Sequence, residues 1–257
     1  MISTPRIRER LLRVPLRLVP SRHAGESLDR ARLDEMYALR SRIFALQPTK
    51  DPADDRAKFD AFVGGCQRVL LLRCRDGALR GMLCFAWERL PGKGGLVFVP
   101  EYGFFEPEFR GDPALILGGL PILARAMLAA RGRPMWMAGI GYPKSMRAGA
   151  RLLKPLWSLA DPDLPDDARA VLETVLARHG GPGSDPKRGT VPMPTVPEPP
   201  PPPARQGSFW RRYESLNPDW PRGVGLVMAG RVDGRIFARI AADLTRRRRR
   251  RGASRRS

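Results

Sequence analysis

The stretch from Gly94 to Arg131 constrains the fold most, because it changes from one backbone periodicity to another across a single polar turn. Leu96-Val97-Phe98-Val99-Pro100-Glu101-Tyr102-Gly103-Phe104-Phe105 is rich in β-branched and aromatic residues and predicts a buried strand. Glu106 to Pro113 is a polar turn. Ala114 to Met127 is apolar nearly all round, which suits a helix packed inside a sheet protein. Asp112 before Pro113 is a helix-start signal: the carboxylate can cap free N–H groups, and the ring fixes a helical φ at the first position. Inside the helix, Pro121 follows Gly118-Gly119-Leu120. An interior proline costs about 3 kcal/mol, so the helix is expected either to kink there or to restart at Pro121.

The flanking chain reads as a mixed α/β (α+β) protein. Val14, Leu16 and Leu18 alternate with Pro15, Arg17 and Val19, as in an edge strand that tolerates a proline. Ser27 to Leu46 has a helical apolar face, with acids toward its start and Arg40 and Arg42 toward its end. Asp51-Pro52 opens a second helix to about Val63, closed by Gly64-Gly65. Arg68 to Arg75 and Leu79 to Arg89 form a hairpin about Asp76-Gly77, and Gly92 to Gly95 turns the chain into the strand at Leu96. Beyond the long helix come a short strand at Pro134 to Ala138, a helix from about Met146 to Leu153, and another from Pro165 to His179. Five prolines at 199 to 203 favour polyproline II, as a spacer or a docking ribbon. The aromatic segment Ser208 to Leu216, a strand at Gly225 to Ala229 and a helix or strand at Ile236 to Leu244 follow.

Phe105-x-Pro107-x-x-Arg110-Gly111, between a strand and a helix, resembles the acyl-CoA-binding turn of the GNAT family of N-acetyltransferases. That family shows roughly Val-x-Pro-x-x-Arg-Gly-x-Gly-x-Gly/Ala, and its successive backbone N–H groups hold the cofactor diphosphate at a helix start. The resemblance covers about residues 10 to 160. It implies a GNAT-like, mainly antiparallel mixed sheet flanked by helices, with an opening between the fourth and fifth strands. It further implies acetyl-CoA or another acyl-CoA as co-substrate, a small-molecule or peptide amine as acceptor, and Phe105, Arg110, Gly111 and Ala114 facing the cofactor. Glu101 would be the general base and Tyr142 the acid for the leaving thiolate. The chain departs from the pattern at Pro113, which has no N–H, and at Leu115, while Asp112 brings a carboxylate to the diphosphate position. Two readings follow: an N-acyltransferase that holds its donor differently, or a catalytically inactive GNAT-like binding protein with a polyanion-binding Arg-rich tail.

The 257 residues accordingly divide into a flexible basic N-terminus (1–12), a GNAT-like domain (13–184), a proline-rich linker or insertion (185–206), a segment returning to complete the sheet (207–245) and a disordered Arg-rich tail (246–257). The net charge is +20, and eight of the arginines lie in the last twelve residues. Arg246 to Arg251 would attract nucleic acid or an acidic protein without sequence preference. Cys66, Cys74 and Cys84 lack the spacing of a zinc site or a disulfide framework, so no metal is expected and buried thiols in a reducing cytoplasm are. No apolar run is expected to reach the ~18 residues of a membrane span.

Overall fold

The computed structural model describes residues 18–46, 51–90, 95–110, 112–197, 199–200 and 206–253. Seven strands form one sheet: β1 (Val19–His23), β2 (Arg68–Arg73), β3 (Leu79–Arg89), β4 (Leu96–Phe105), β5 (Met135–Gly141), β6 (Thr190–Pro192) and β7 (Val224–Val232). Their order across the sheet is β1-β2-β3-β4-β5-β7-β6. Every pair is antiparallel except β4 with β5, which is parallel. Seven helices accompany them among the described residues: α1 (Arg30–Ile43), α2 (Pro52–Gly64), α3 (Pro113–Ala130), α4 (Pro143–Leu152), α5 (Asp166–His179), α6 (Ser208–Leu216) and α7 (Ile236–Ala253). This is the mainly antiparallel mixed sheet flanked by helices that the resemblance implied.

Alternation along the strands sends successive side chains to opposite faces, and both faces are covered. Leu70 and Leu72 of β2, Phe98 of β4 and Met228 of β7 join α3, α4, α6 and α7 in one core. On the other face Val97, Val99, Trp136 and Val227 pack with α5, while Val69, Leu71 and Cys84 pack with α1 and α2.

Local chemistry sets the helix starts. The Asp29 carboxylate accepts from Arg32 N, so α1 opens at Arg30 and Ser27 is left in a preceding 3-10 turn. Asp51 caps α2 in the same way by accepting from Ala53 N. The hairpin between β2 and β3 turns at Gly77, whose φ of +89° is open to glycine, and Asp76 accepts from Ala78 N at 2.9 Å.

Several expectations are corrected. The first described strand is Val19–His23, and Val14 to Arg17 lie outside the described residues, as do residues 1–12 and the Gly92 to Gly94 turn. It remains an edge strand, and so tolerates Pro20. Pro121 neither stops nor restarts α3, which runs unbroken from Pro113 to Ala130. The turn before the ring is tied from outside, because Arg22 Nε donates to the Gly118 carbonyl at 2.9 Å. Gly118 also lets the helix approach β1 and β2: a Cβ there would meet Leu70 Cδ1 at 2.8 Å and Pro20 Cβ at 2.9 Å.

By length and composition α3 does reach a membrane-spanning run, with a mean hydropathy of 1.7 over 18 residues. Part of it packs on the sheet, where Ala114, Gly118, Ile122, Leu123 and Ala126 are buried. Part of the proline-rich stretch is folded, since Thr190–Pro192 pair with β7 as the last strand of the sheet, whereas Pro201 to Pro203 lie outside the described residues. The run Arg246 to Arg251 continues α7 to Ala253 where an unfolded tail was expected. Arginine is a good helix former, and positive charge is favoured at a helix C-terminus.

Candidate functional site

The site begins where β4 leaves β5. The two strands pair at Leu96↔Met135, Val97↔Trp136 and Phe98↔Met137, and no further. Pro100, two residues on, has no N–H to give a ladder. On the other side of β4, Leu83 faces Gly103 and Cys84 faces Glu101, so Tyr102 is an extra residue, a β-bulge that bends the strand. The distal half of β4 therefore stays with β3 and parts from β5.

At the end of β4 the turn is held from below. Glu106, buried, takes an ion pair from Arg80 at 2.9 Å and another from Arg42 at 3.3 Å, and its N–H donates to the Arg80 carbonyl. A 3-10 turn, Pro107–Phe109, follows. Among the described residues, the amides of the turn are then occupied one after another. Phe109 N donates to Glu106 O, Arg110 N to Pro107 O and Asp112 N to Phe109 O. Pro113 has no amide hydrogen. Ala114 N donates to Asp112 Oδ1 at 2.9 Å, and Leu115 N to the Asp112 carbonyl at 3.3 Å. Asp112 is 1% exposed and Ala114 wholly buried.

Each residue expected at the site can now be placed. Phe105 pairs with Gly81, and its carbonyl accepts from Arg110 Nε at 3.3 Å, with the Arg110 side chain exposed. Gly111 lies outside the described residues. So does the Glu101 side chain, although its backbone pairs with Cys84. Tyr142 stands just before α4, at the end of β5, and its hydroxyl donates to the Thr195 carbonyl at 2.5 Å. No described hydrogen bond or ion pair joins Tyr142 to the turn at Arg110.

Thr195 belongs to a strap. The chain leaves β6 and Met193 N donates to Gly223 O. Thr195 then bridges to Leu46, and Val196 N donates to Ala45 O at 3.0 Å. The segment thus runs from the last strand to the end of α1, and Tyr142 fastens it midway. Burial pushes the Tyr142 phenol up to about 12, against the opposing effect of the hydrogen bond to Thr195. In the unfolded chain a tyrosine ionises near pH 10. Between about pH 10 and 12 the unfolded state gives up this proton first, so it binds fewer protons and stability falls as pH rises. Melting temperature measured across that window is expected to fall, and Tyr142→Phe to flatten the fall.

Sequence reasoning missed Tyr213 of α6. It is fully buried, and its hydroxyl donates to Gly141 O at 2.5 Å and accepts from Leu226 N at 3.1 Å and from Asn217 Nδ2 at 3.3 Å. Trp210 and Tyr213, three apart, mark a helix face that buries aromatics, but not which strands the face meets.

These contacts decide how the turn could meet a diphosphate. The implied cradle needs successive free amides, and here one is missing at Pro113 while those of Asp112, Ala114 and Leu115 are engaged. A carboxylate rather than a free N–H meets the helix start. The turn does not fit acyl-CoA in the manner the resemblance implies.

No protein-family model matches the chain, and no curated protein matches it. Solved structures similar to it include a conserved protein of unknown function and probable N-acyltransferase from Enterococcus faecalis, at 18% identity and TM-score 0.36 over 51% of this chain and 32% of that one. A ribosomal-protein-alanine N-acetyltransferase from Brucella melitensis is similar at 14% identity and TM-score 0.34, over 51% and 87% of the two chains. A GNAT-family N-acetyltransferase from Escherichia coli, in complex with CoA, is similar at 15% identity and TM-score 0.33, over 53% and 69%. The match spans about a third of the Enterococcus protein's length.

Proposed function

We propose that the chain is a GNAT-like binding protein that does not carry out the family's acyl-CoA chemistry. The observation that carries this reading is the Asp112 carboxylate on the Ala114 amide, a contact that closes the helix start to a diphosphate. Two features support it. Pro113 cannot supply an amide however the turn moves, and the Tyr142 hydroxyl is committed to a main-chain carbonyl instead of facing a leaving thiolate.

A second reading is favoured by the parting of β4 from β5 beyond Phe98 and Met137. It is acyl transfer from an acyl-CoA to a small-molecule or peptide amine. In that reading Glu101 is the base, Tyr142 the acid, and Phe105, Arg110, Gly111 and Ala114 face the donor. It requires the Tyr142 hydroxyl to leave Thr195 and the Asp112 side chain to turn away from Ala114.

Thermal melting of the full chain with acetyl-CoA or a longer acyl-CoA, each against ADP at the same concentration and salt, separates the two. ADP, which shares the nucleotide part of CoA, controls both for the attraction of any polyanion to a chain of net charge +20 and for a nucleotide site elsewhere on the fold. The expected result is that the acyl-CoAs raise the melting temperature no more than ADP does. A ligand at 100 times its Kd adds about 2.7 kcal/mol, roughly 5 to 10 °C for a chain this size. An acyl-CoA shift exceeding the ADP shift by that much, with release of free CoA thiol in the presence of amines, would overturn the binding-protein reading.

A further inference from the structure

Away from the Asp112 turn, at the edge of the sheet, a hollow of about 350 Å³ opens between β1, the start of β2 and the middle of α3. Its walls carry three arginines, Arg22, Arg68 and Arg125, together with His23, Pro121 and Ile122. No acid lines it, and none of the three arginines is in an ion pair among the described residues. Elsewhere on the fold, arginines meet carboxylates: Arg40 meets Asp55, Arg73 meets Glu35, and Arg80 meets Glu106. Three like charges around one concavity repel one another, and an anion placed among them relieves that repulsion.

The hollow is also built. Arg22 is held by its Nε contact to the Gly118 carbonyl, in the turn that precedes Pro121. Gly118 is what lets α3 approach β1 closely enough for the contact, since a side chain there would strike Pro20 and Leu70. Pro121, the interior proline of α3, places an exposed ring on the wall beside the buried Ile122. Guanidinium groups make paired, charge-assisted hydrogen bonds to phosphate, and their planes stack on flat rings. The volume lies within the range of small-molecule sites, roughly 300 to 1,000 Å³.

We propose that this hollow binds a small nucleotide-type ligand, with its phosphates against Arg22, Arg68 and Arg125 and its base against the exposed Pro121 ring. The site gives the binding protein a ligand class, and it is independent of whether the Asp112 turn admits acyl-CoA.

The test is calorimetric titration of the full chain with ADP, inorganic pyrophosphate and adenosine at physiological salt. ADP is expected to bind more tightly than pyrophosphate, and adenosine most weakly. The double variant Arg68→Gln with Arg125→Gln is expected to weaken ADP at least tenfold, the scale of losing charge-assisted hydrogen bonds. Arg125 is exposed, so Arg125→Gln alone keeps the fold and carries the test should the double variant not fold. Replacing Arg246 to Arg251 with glutamine is expected to leave ADP affinity unchanged. Absence of ADP binding overturns the proposal, as does a loss that follows the α7 arginines instead of the hollow. Equal affinity for ADP and pyrophosphate overturns the nucleotide assignment.

Discussion

Asp55→Ala is expected to lower stability by about 3 to 5 kcal/mol, because it leaves a buried guanidinium without its counter-charge. Arg40 is 2% exposed and Asp55 8%. Arg40 Nη1 and Nη2 donate to the two Asp55 oxygens at 2.6 and 2.8 Å, the forked geometry that makes such pairs strong. Tyr37 adds a third donor to Asp55 at 3.0 Å, and the Arg40 guanidinium lies over the Tyr37 ring. The pair clamps α1 to α2, and removing either half strands the other away from water. At about 2 to 4 °C per kcal/mol for a chain of this size, the melting temperature should drop on the order of 10 °C. The compensated variant, Arg40→Met with Asp55→Leu, should recover most of that loss, since two apolar side chains leave no buried charge. If Asp55→Ala melts within 2 °C of the parent, the clamp carries no weight.

Tyr213→Phe removes one oxygen and is expected to cost about 2 to 6 kcal/mol. The hydroxyl sits between Gly141 and Leu226, partners at the end of β5 and within β7, accepting from the amide of one and donating to the carbonyl of the other. Without it both main-chain groups are stranded in the core, each at about 1 to 3 kcal/mol. Asn217 keeps its second acceptor, the Val224 carbonyl, so its loss is smaller. Denaturant unfolding measures the cost. A loss below 0.5 kcal/mol would show that water replaces the hydroxyl and that Tyr213 is not the joint between α6 and the sheet. Burial also pushes this phenol well above its usual range, so the stability that the parent loses above about pH 10 should be partly retained in Tyr213→Phe.

How much of this was legible in the sequence follows from the range of the interactions. The hairpin at Asp76-Gly77 and the starts of α2 and α3 at Asp51 and Asp112 were readable because each is fixed by contacts within three residues. The faces of β2 and β4 were readable because alternation alone assigns them. The fate of Pro121 was not, because the turn before it is tied by an arginine on β1, far along the chain. The Arg40 and Asp55 charges were readable only as neighbours of their own helix ends, and their union across two helices was not. Nor was the docking of Thr195, which needs Leu46 and Tyr142 brought together from opposite parts of the chain.

By itself the sequence determined a strand, a turn and a helix at the centre of a mixed sheet, along with both chemical fates open to Asp112-Pro113: a phosphate cradle rebuilt or a helix cap. What only the tertiary structure decided is the burial of that cap, beside a turn pinned from β3 and α1. A turn whose preceding glutamate is pinned by Arg80 and Arg42 buries the Asp112 carboxylate against the first free amide of α3. A buried acceptor takes the nearest donor, since leaving either unpaired away from water costs more than any local preference can offset.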